Sequence, residues 1–366
     1  FPLDMWAGAG RAATAALIAR LPADAPSPAM HGLMRRLLLS SAKAPEGEGL
    51  GGDFMGARLK TLVAMGALDA ARSLADATPE RLTDEPVLQA RIDLALLEGD
   101  FERVCSLSRT ANALHDAQAF RRVGAWCSVQ DGQVEAAALS ASLMREIGGA
   151  DAAYLALLDR LTGESAEAPP ISGPFDPLTF RMAEQAGAQI APEAIGFAHA
   201  GLAAALARSD AAGVAARAAA AEKAEAAGAI PPEMLDAVYA AFAFDEASIR
   251  NAFSSAAERP GPEARALLRR AAQTAPAGAA RAAAMQEGFA AARRDGAFLA
   301  AARAARMDLL ALEPSPDLSW FAEDATRALF ASGEFARGLR WRRLAARSAG
   351  VDRAADGAAA RRWALA

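Results

Sequence analysis

The feature that most constrains this chain is a short motif that returns at a fixed distance. Gly66-Ala67-Leu68-Asp69-Ala70-Ala71, Gly99-Asp100-Phe101-Glu102-Arg103-Val104 and Gly132-Gln133-Val134-Glu135-Ala136-Ala137 share one order: glycine, any residue, an apolar residue, two variable residues, then a small residue or valine. Their glycines stand 33 residues apart, twice. The order returns as Gly296-Ala297-Phe298-Leu299-Ala300-Ala301 and Gly333-Glu334-Phe335-Ala336-Arg337-Gly338, 37 residues apart. Glycine permits the tight turn that closes one helix and opens the next. The apolar residue packs into the hairpin, and the small residue lets the two helices approach. A period of this length belongs to helix–turn–helix units that must stack on one another to bury their apolar faces.

Composition points the same way. Alanine supplies 103 of the 366 residues, and it is the best helix former because it has no side-chain entropy to lose. Aromatic residues are only 6% and β-branched residues are scarce, which excludes an all-β or doubly wound α/β protein. With 53% hydrophobic and 23% charged residues the chain is globular, not disordered. We expect about eighteen to twenty helices, each too short to stand alone in water. Ser27-Pro28 supplies an N-cap and a first-turn proline, and Asp84-Glu85-Pro86, Asp176-Pro177 and Ser315-Pro316 mark further starts. Alanine is densest over Gly201–Ala229, where helices should pack unusually closely.

The glycine–aromatic–alanine order of these turns resembles that of a tetratricopeptide repeat, over about Asp53–Ile147 and Ala290–Ala349. The bulky residues which that family places early in its first helix are missing, and the closing proline is out of step. The resemblance implies an all-α fold, a right-handed superhelical solenoid of stacked antiparallel hairpins. The halves expected are residues 1–163 and 177–349. Between them a Pro/Gly/Ser-rich stretch, 164–176, serves as joint or insertion, and 350–366 forms a basic tail or capping helix. The alanine-rich superhelix is also similar to the scaffold domain of soluble lytic transglycosylases. No lysozyme-like domain accompanies it, so this likeness implies no cleavage activity.

Cys105 and Cys127 are the only cysteines. Helices over 100–113 and 116–130, joined near Leu114–Asp116, place the two at similar height on antiparallel neighbours. That register favours a disulfide over two buried thiols, and with it an oxidising compartment. The chain begins at Phe1, not methionine, as expected where an upstream segment has been removed, whether a cleaved signal peptide or a trimmed anchor or linker, and the expected location is the periplasm or a membrane anchor facing it. No apolar run reaches the length of a membrane span.

Net charge is −5, against a nucleic-acid partner. The basic residues include only three lysines, Lys43, Lys60 and Lys223, a skew that resembles coding bias. Eight arginines fall after Gly333, against Glu334, Asp352 and Asp356. This basic end, with Arg340, Arg342, Arg343, Arg361, Arg362 and Trp363, suits an acidic partner or an anionic membrane surface. Trp320-Phe321 and Trp341 are expected in the core of the last hairpins.

No GxSxG, P-loop or HExxH occurs, and His31, His115 and His199 are scattered. No cofactor, metal site or catalytic set is expected. By the repeat register, the inward-facing candidates for a partner are Lys60 in the first repeat, Gln89 and Asp93 in the second, and Arg122, Trp126 and Gln130 in the third. Arg122 and Trp126 lie one turn apart, an arginine–aromatic pair of the kind found at binding hot spots; the other reading of Trp126 is core beside the cysteines. The expected function is a non-catalytic scaffold or adaptor of the bacterial cell envelope, on its periplasmic side, binding a protein or peptide through a groove. The alternatives are an enzyme, or its helical accessory domain, acting on envelope glycan or lipid, and a cytoplasmic adaptor with reduced thiols.

Overall fold

The computed structural model describes residues 1–25, 27–48, 51–148, 151–259 and 261–351. It is all-α: among these residues there are helices and two isolated β-bridges but no strands. The chain divides into two compact units, Phe1–Ile230 and Pro231–Ala366. The joint expected at 164–176 therefore lies inside the first unit, as the connection between two of its helices.

The first unit runs α1 (Arg11–Ala19), α2 (Pro28–Leu38), α3 (Gly52–Ala64), α4 (Leu68–Ala77), α5 (Glu85–Glu98), α6 (Phe101–Leu114), α7 (Gln118–Gln130), α8 (Val134–Ile147), α9 (Ala152–Thr162), α10 (Pro177–Ala186), α11 (Ala200–Ala207) and α12 (Val214–Ala226). From α3 to α9 each helix packs on the next, and α3 also packs on α5 and α7 on α9. The second unit continues with α13 (Pro232–Ala240), α14 (Glu246–Arg250), α15 (Ala252–Ala257), α16 (Gly261–Thr274), α17 (Ala279–Arg294), α18 (Phe298–Ala304), α19 (Arg306–Leu310), α20 (Ala322–Ala331) and α21 (Phe335–Val351).

Helix starts follow the local signals. Ser27 Oγ accepts from the Met30 amide, and the Asp176 carboxylate accepts from the Thr179 amide, each ahead of a first-turn proline. All five motif glycines adopt positive φ, from 73° at Gly66 and Gly296 to 78° at Gly333. At each, the amide after the glycine reaches back to the carbonyl five residues earlier in the closing pattern: Asp100 to Ala95 at 3.0 Å and Gln133 to Ser128 at 2.7 Å are two examples.

Arginine carries structure that composition alone did not announce. Short buried helices leave their last carbonyls without intrahelical donors, and here guanidinium groups reach those carbonyls from neighbouring helices. Arg58 of α3 donates to Leu38 O at 2.7 Å and Ser40 O at 2.8 Å, at the end of α2. Arg91 of α5 donates to Thr78 O at 2.9 Å, at the end of α4. These two buried arginines are themselves 33 residues apart, in step with the glycines. Arg181 caps α5 at Leu96 and Leu97, and Arg337 reaches Leu310 O at the end of α19 and Leu312 O just beyond it. Five fixed donors on a planar fork suit arginine to this task better than lysine. Arg91→Met should lower the stability of the first unit by about 2–3 kcal/mol in chemical denaturation. Arg103→Met removes only a surface ion pair with Asp76 at 3.6 Å and should cost less than about 1 kcal/mol.

In the second unit Phe289, Phe321 and Trp341 form the centre of the core, with ring centroids 6.5 Å and 5.9 Å apart for the successive pairs. Trp341 and Phe321 are fully buried as expected. Trp320 is not: it is 45% exposed, because the short 3-10 helix Pro316–Phe321 turns it about a third of a turn away from its buried neighbour Phe321.

Candidate functional site

The cysteine pair forms a disulfide between α6 and α7, with Cα atoms 5.5 Å apart. The helix boundaries place the sulfurs level, as the antiparallel register requires. By loop-closure entropy a bridge of this span contributes about 3 kcal/mol.

All six groove candidates lie on α3, α5 and α7. The structure separates them into two groups. Lys60, Gln89, Asp93 and Arg122 converge electrostatically about Asp93. Lys60 is exposed, and Gln89 and Asp93 are half-buried. The Gln89 amide donates to Asp93 Oδ1 at 2.8 Å. Trp126 and Gln130 form the second group, and both bond Gln185 of α10: Trp126 Nε1 donates to Gln185 Oε1 at 2.9 Å, and Gln130 Nε2 donates to the same atom at 3.0 Å.

The helix that carries Gln185 is the residue set that sequence reasoning missed. α10 packs on α5 and α9, and α11 packs on α3 and α5. These two helices therefore lie on the same row of helices that carries the candidates. Arg122 is held there on several sides. It donates to Asp176 Oδ2 at 2.8 Å and Thr179 Oγ1 at 3.2 Å, and its guanidinium stands 4.5 Å over the Tyr154 ring. The Tyr154 hydroxyl donates to the Arg122 carbonyl at 2.8 Å. Burial pushes that hydroxyl pKa well above its usual value. Burial also works against ionisation of Asp176, but the Arg122 charge and the Thr179 donors outweigh it and hold the carboxyl below its ordinary range. Phe101 meets the Trp126 ring edge-on at 5.2 Å.

Trp126 is fully buried, so it belongs to the core beside the disulfide and offers no surface for a hot-spot contact. The physical reason is α10, which covers the third-repeat positions. The signal for it was present in Asp176-Pro177 and in Leu178, Phe180 and Met182 just after. Which face it would cover depends on partners some 55 to 85 residues distant in sequence.

Asp93 is strongly perturbed as well. Burial raises its carboxyl pKa to about 7, and Asp176 at the start of α10 adds to the rise. The Gln89 hydrogen bond, Lys60 of α3 and Arg122 of α7 pull the other way without cancelling it. The unfolded carboxyl ionises near its ordinary value of 3.8, so the native state holds a proton that the unfolded state has lost between those two values. Stability therefore falls as pH rises from about 4 to 7 and stays reduced above that range. Asp93→Asn keeps the hydrogen bond to Gln89 and removes the charge. It should stabilise the protein at pH 8 by on the order of 1–3 kcal/mol and leave stability at pH 4 nearly unchanged; equal shifts at both pH values in chemical denaturation would contradict this.

At the basic end, Arg340 bonds Glu313 at 3.0 Å, and Arg342 and Arg343 are exposed on α21. Arg361, Arg362 and Trp363 lie outside the described residues. Among the described residues no three His, Cys, Asp or Glu side chains gather as a metal site requires, and no helix is long and apolar enough to cross a membrane. Comparison with protein families, curated proteins and solved structures finds no match for this chain.

Proposed function

We propose that the protein is a non-catalytic scaffold or adaptor of the bacterial cell envelope, on the periplasmic side, built as a tetratricopeptide-like solenoid that holds a protein or peptide partner. The observation that carries the reading is the tandem row of α3, α5 and α7, closed by one glycine turn and presenting polar side chains from successive hairpins. Stacked hairpins of this kind serve as extended binding surfaces. The contact falls on Lys60, Gln89 and Asp93, because α10 engages Arg122, Trp126 and Gln130. A cationic group of the partner would displace the proton of Asp93 and pair with its carboxylate, which Lys60 and Arg122 do not by themselves keep ionised against burial. The disulfide supports the oxidising compartment.

Photo-crosslinking residues placed at Lys60 and at Gln89 in the native host test the reading. A discrete adduct from these positions and none from Arg109, on α6, is the expected result. No adduct from either position, in a chain that keeps its helical circular dichroism, would overturn the docking surface. Free thiols at Cys105 and Cys127 in protein trapped in its native host would overturn the compartment.

A further inference from the structure

The last described helix exposes a face that the proposed docking row does not use. Along α21 two adjoining rows are exposed throughout: Phe335, Leu339, Arg342 and Ala346, and beside them Ala336, Arg340, Arg343 and Arg347. The spacings are those of one helix face. Four of the eight side chains are arginines and none is acidic. Phe335 is 62% and Leu339 42% exposed. The opposite face of the helix is committed to the core through Trp341 and Leu344, so the outer face is held in place by packing. Arg340 shares Glu313 with Arg337, and Glu334, the carboxylate just before the helix, is taken by Arg306. The helix therefore presents a net positive surface with two large apolar side chains at its beginning.

We propose that this face docks on an anionic lipid surface, the arginines against phosphate headgroups and Phe335 and Leu339 at the acyl boundary. Charge complementarity selects the anionic partner. The apolar pair in line with the arginines favours a lipid interface over a nucleic acid, whose phosphates would use the arginines alone. The inference stands apart from the partner row on α3 and α5.

The test is co-sedimentation of the full chain with vesicles of mixed phosphatidylglycerol and phosphatidylcholine, and with phosphatidylcholine alone. The expected result is binding to the anionic vesicles that weakens as salt is raised, with little binding to the neutral ones. Arg343→Glu combined with Arg347→Glu should lower the partition coefficient by roughly 30-fold or more, the two lost arginines alone being worth about a factor of five each. Phe335→Ser combined with Leu339→Ser should lower binding while leaving its salt dependence in place. Both pairs are solvent-facing, and retained circular dichroism separates lost docking from lost fold. Equal binding to neutral vesicles, no binding to anionic ones, or full binding by the charge-reversed chain would overturn the proposal. So would binding to duplex RNA in place of vesicles that the same charge reversal abolishes.

Discussion

Gly201→Ala should lower the stability of the first unit by about 3 kcal/mol or more, although alanine is the better helix former at most positions. Gly201 sits in the first turn of α11, where that helix crosses the end of α3. A Cβ built there lies 2.0 Å from the Val63 carbonyl oxygen and 3.3 Å from Gly66 Cα. The obstruction is backbone, so no rotamer change relieves it, and α11 would have to move off α3. The position carries every residue of α11 into the core, so the displacement spreads. Gly66 faces it, with φ of +73° and the Ala229 Cβ 2.4 Å from where its own Cβ would be. Gly132→Ala gives the control: it shares the positive φ but meets nothing within 4 Å. Its loss should stay near 1 kcal/mol, the cost of the left-handed backbone alone. Urea denaturation of the three proteins, followed by circular dichroism, makes the comparison; similar losses for Gly201→Ala and Gly132→Ala would contradict the close approach.

Trp126→Ala should destabilise the same unit by about 3–5 kcal/mol, the range for truncating a fully buried large aromatic. The ring is 0% exposed, meets Phe101 edge-on, and its indole N–H is satisfied by Gln185. The substitution therefore leaves a cavity and also removes the donor that one end of α10 relies on. Trp126→Phe separates the two effects: it refills most of the volume and lacks the N–H, and should lose about 1–2 kcal/mol. A surface-displayed Trp126 would show less than about 0.5 kcal/mol for either change.

What was legible in the sequence is what local chemistry decides. Ser27 and Asp176 cap helices because their side-chain oxygens reach an amide three residues on. The motif glycines turn because only glycine takes that backbone freely. Cys105 and Cys127 meet because two helix lengths and one turn set their heights. The crowding over Gly201–Ala229 was legible as well, from alanine density alone. Two things were not. The arginine excess hid a function, since Arg58 and Arg91 each stand eight residues before a motif glycine and close the helix ahead of them. The third repeat has Gly124 at that step, and Asn112 fills the space by donating to Phe120 O at 2.9 Å, so the pattern breaks before a third arginine could announce it. The other is α10. Its helix was marked by Asp176-Pro177, but its docking on α5 and α7 rests on pairs such as Arg181 with Leu96 and Arg122 with Asp176, which no short window contains.

That docking takes Arg122, Trp126 and Gln130 out of the candidate row and leaves Lys60, Gln89 and Asp93 beside α10 and α11, and it is the claim on which the functional reading turns. Amide hydrogen exchange across α10 tests it most directly. The account predicts that the amides of residues 180–186 exchange as slowly as those of α5 and α7, opening only with the first unit as a whole. Exchange of α10 well ahead of α5 and α7 would contradict it: α10 would then be a displaceable occupant, and Arg122 and Trp126 would return as surface for a partner.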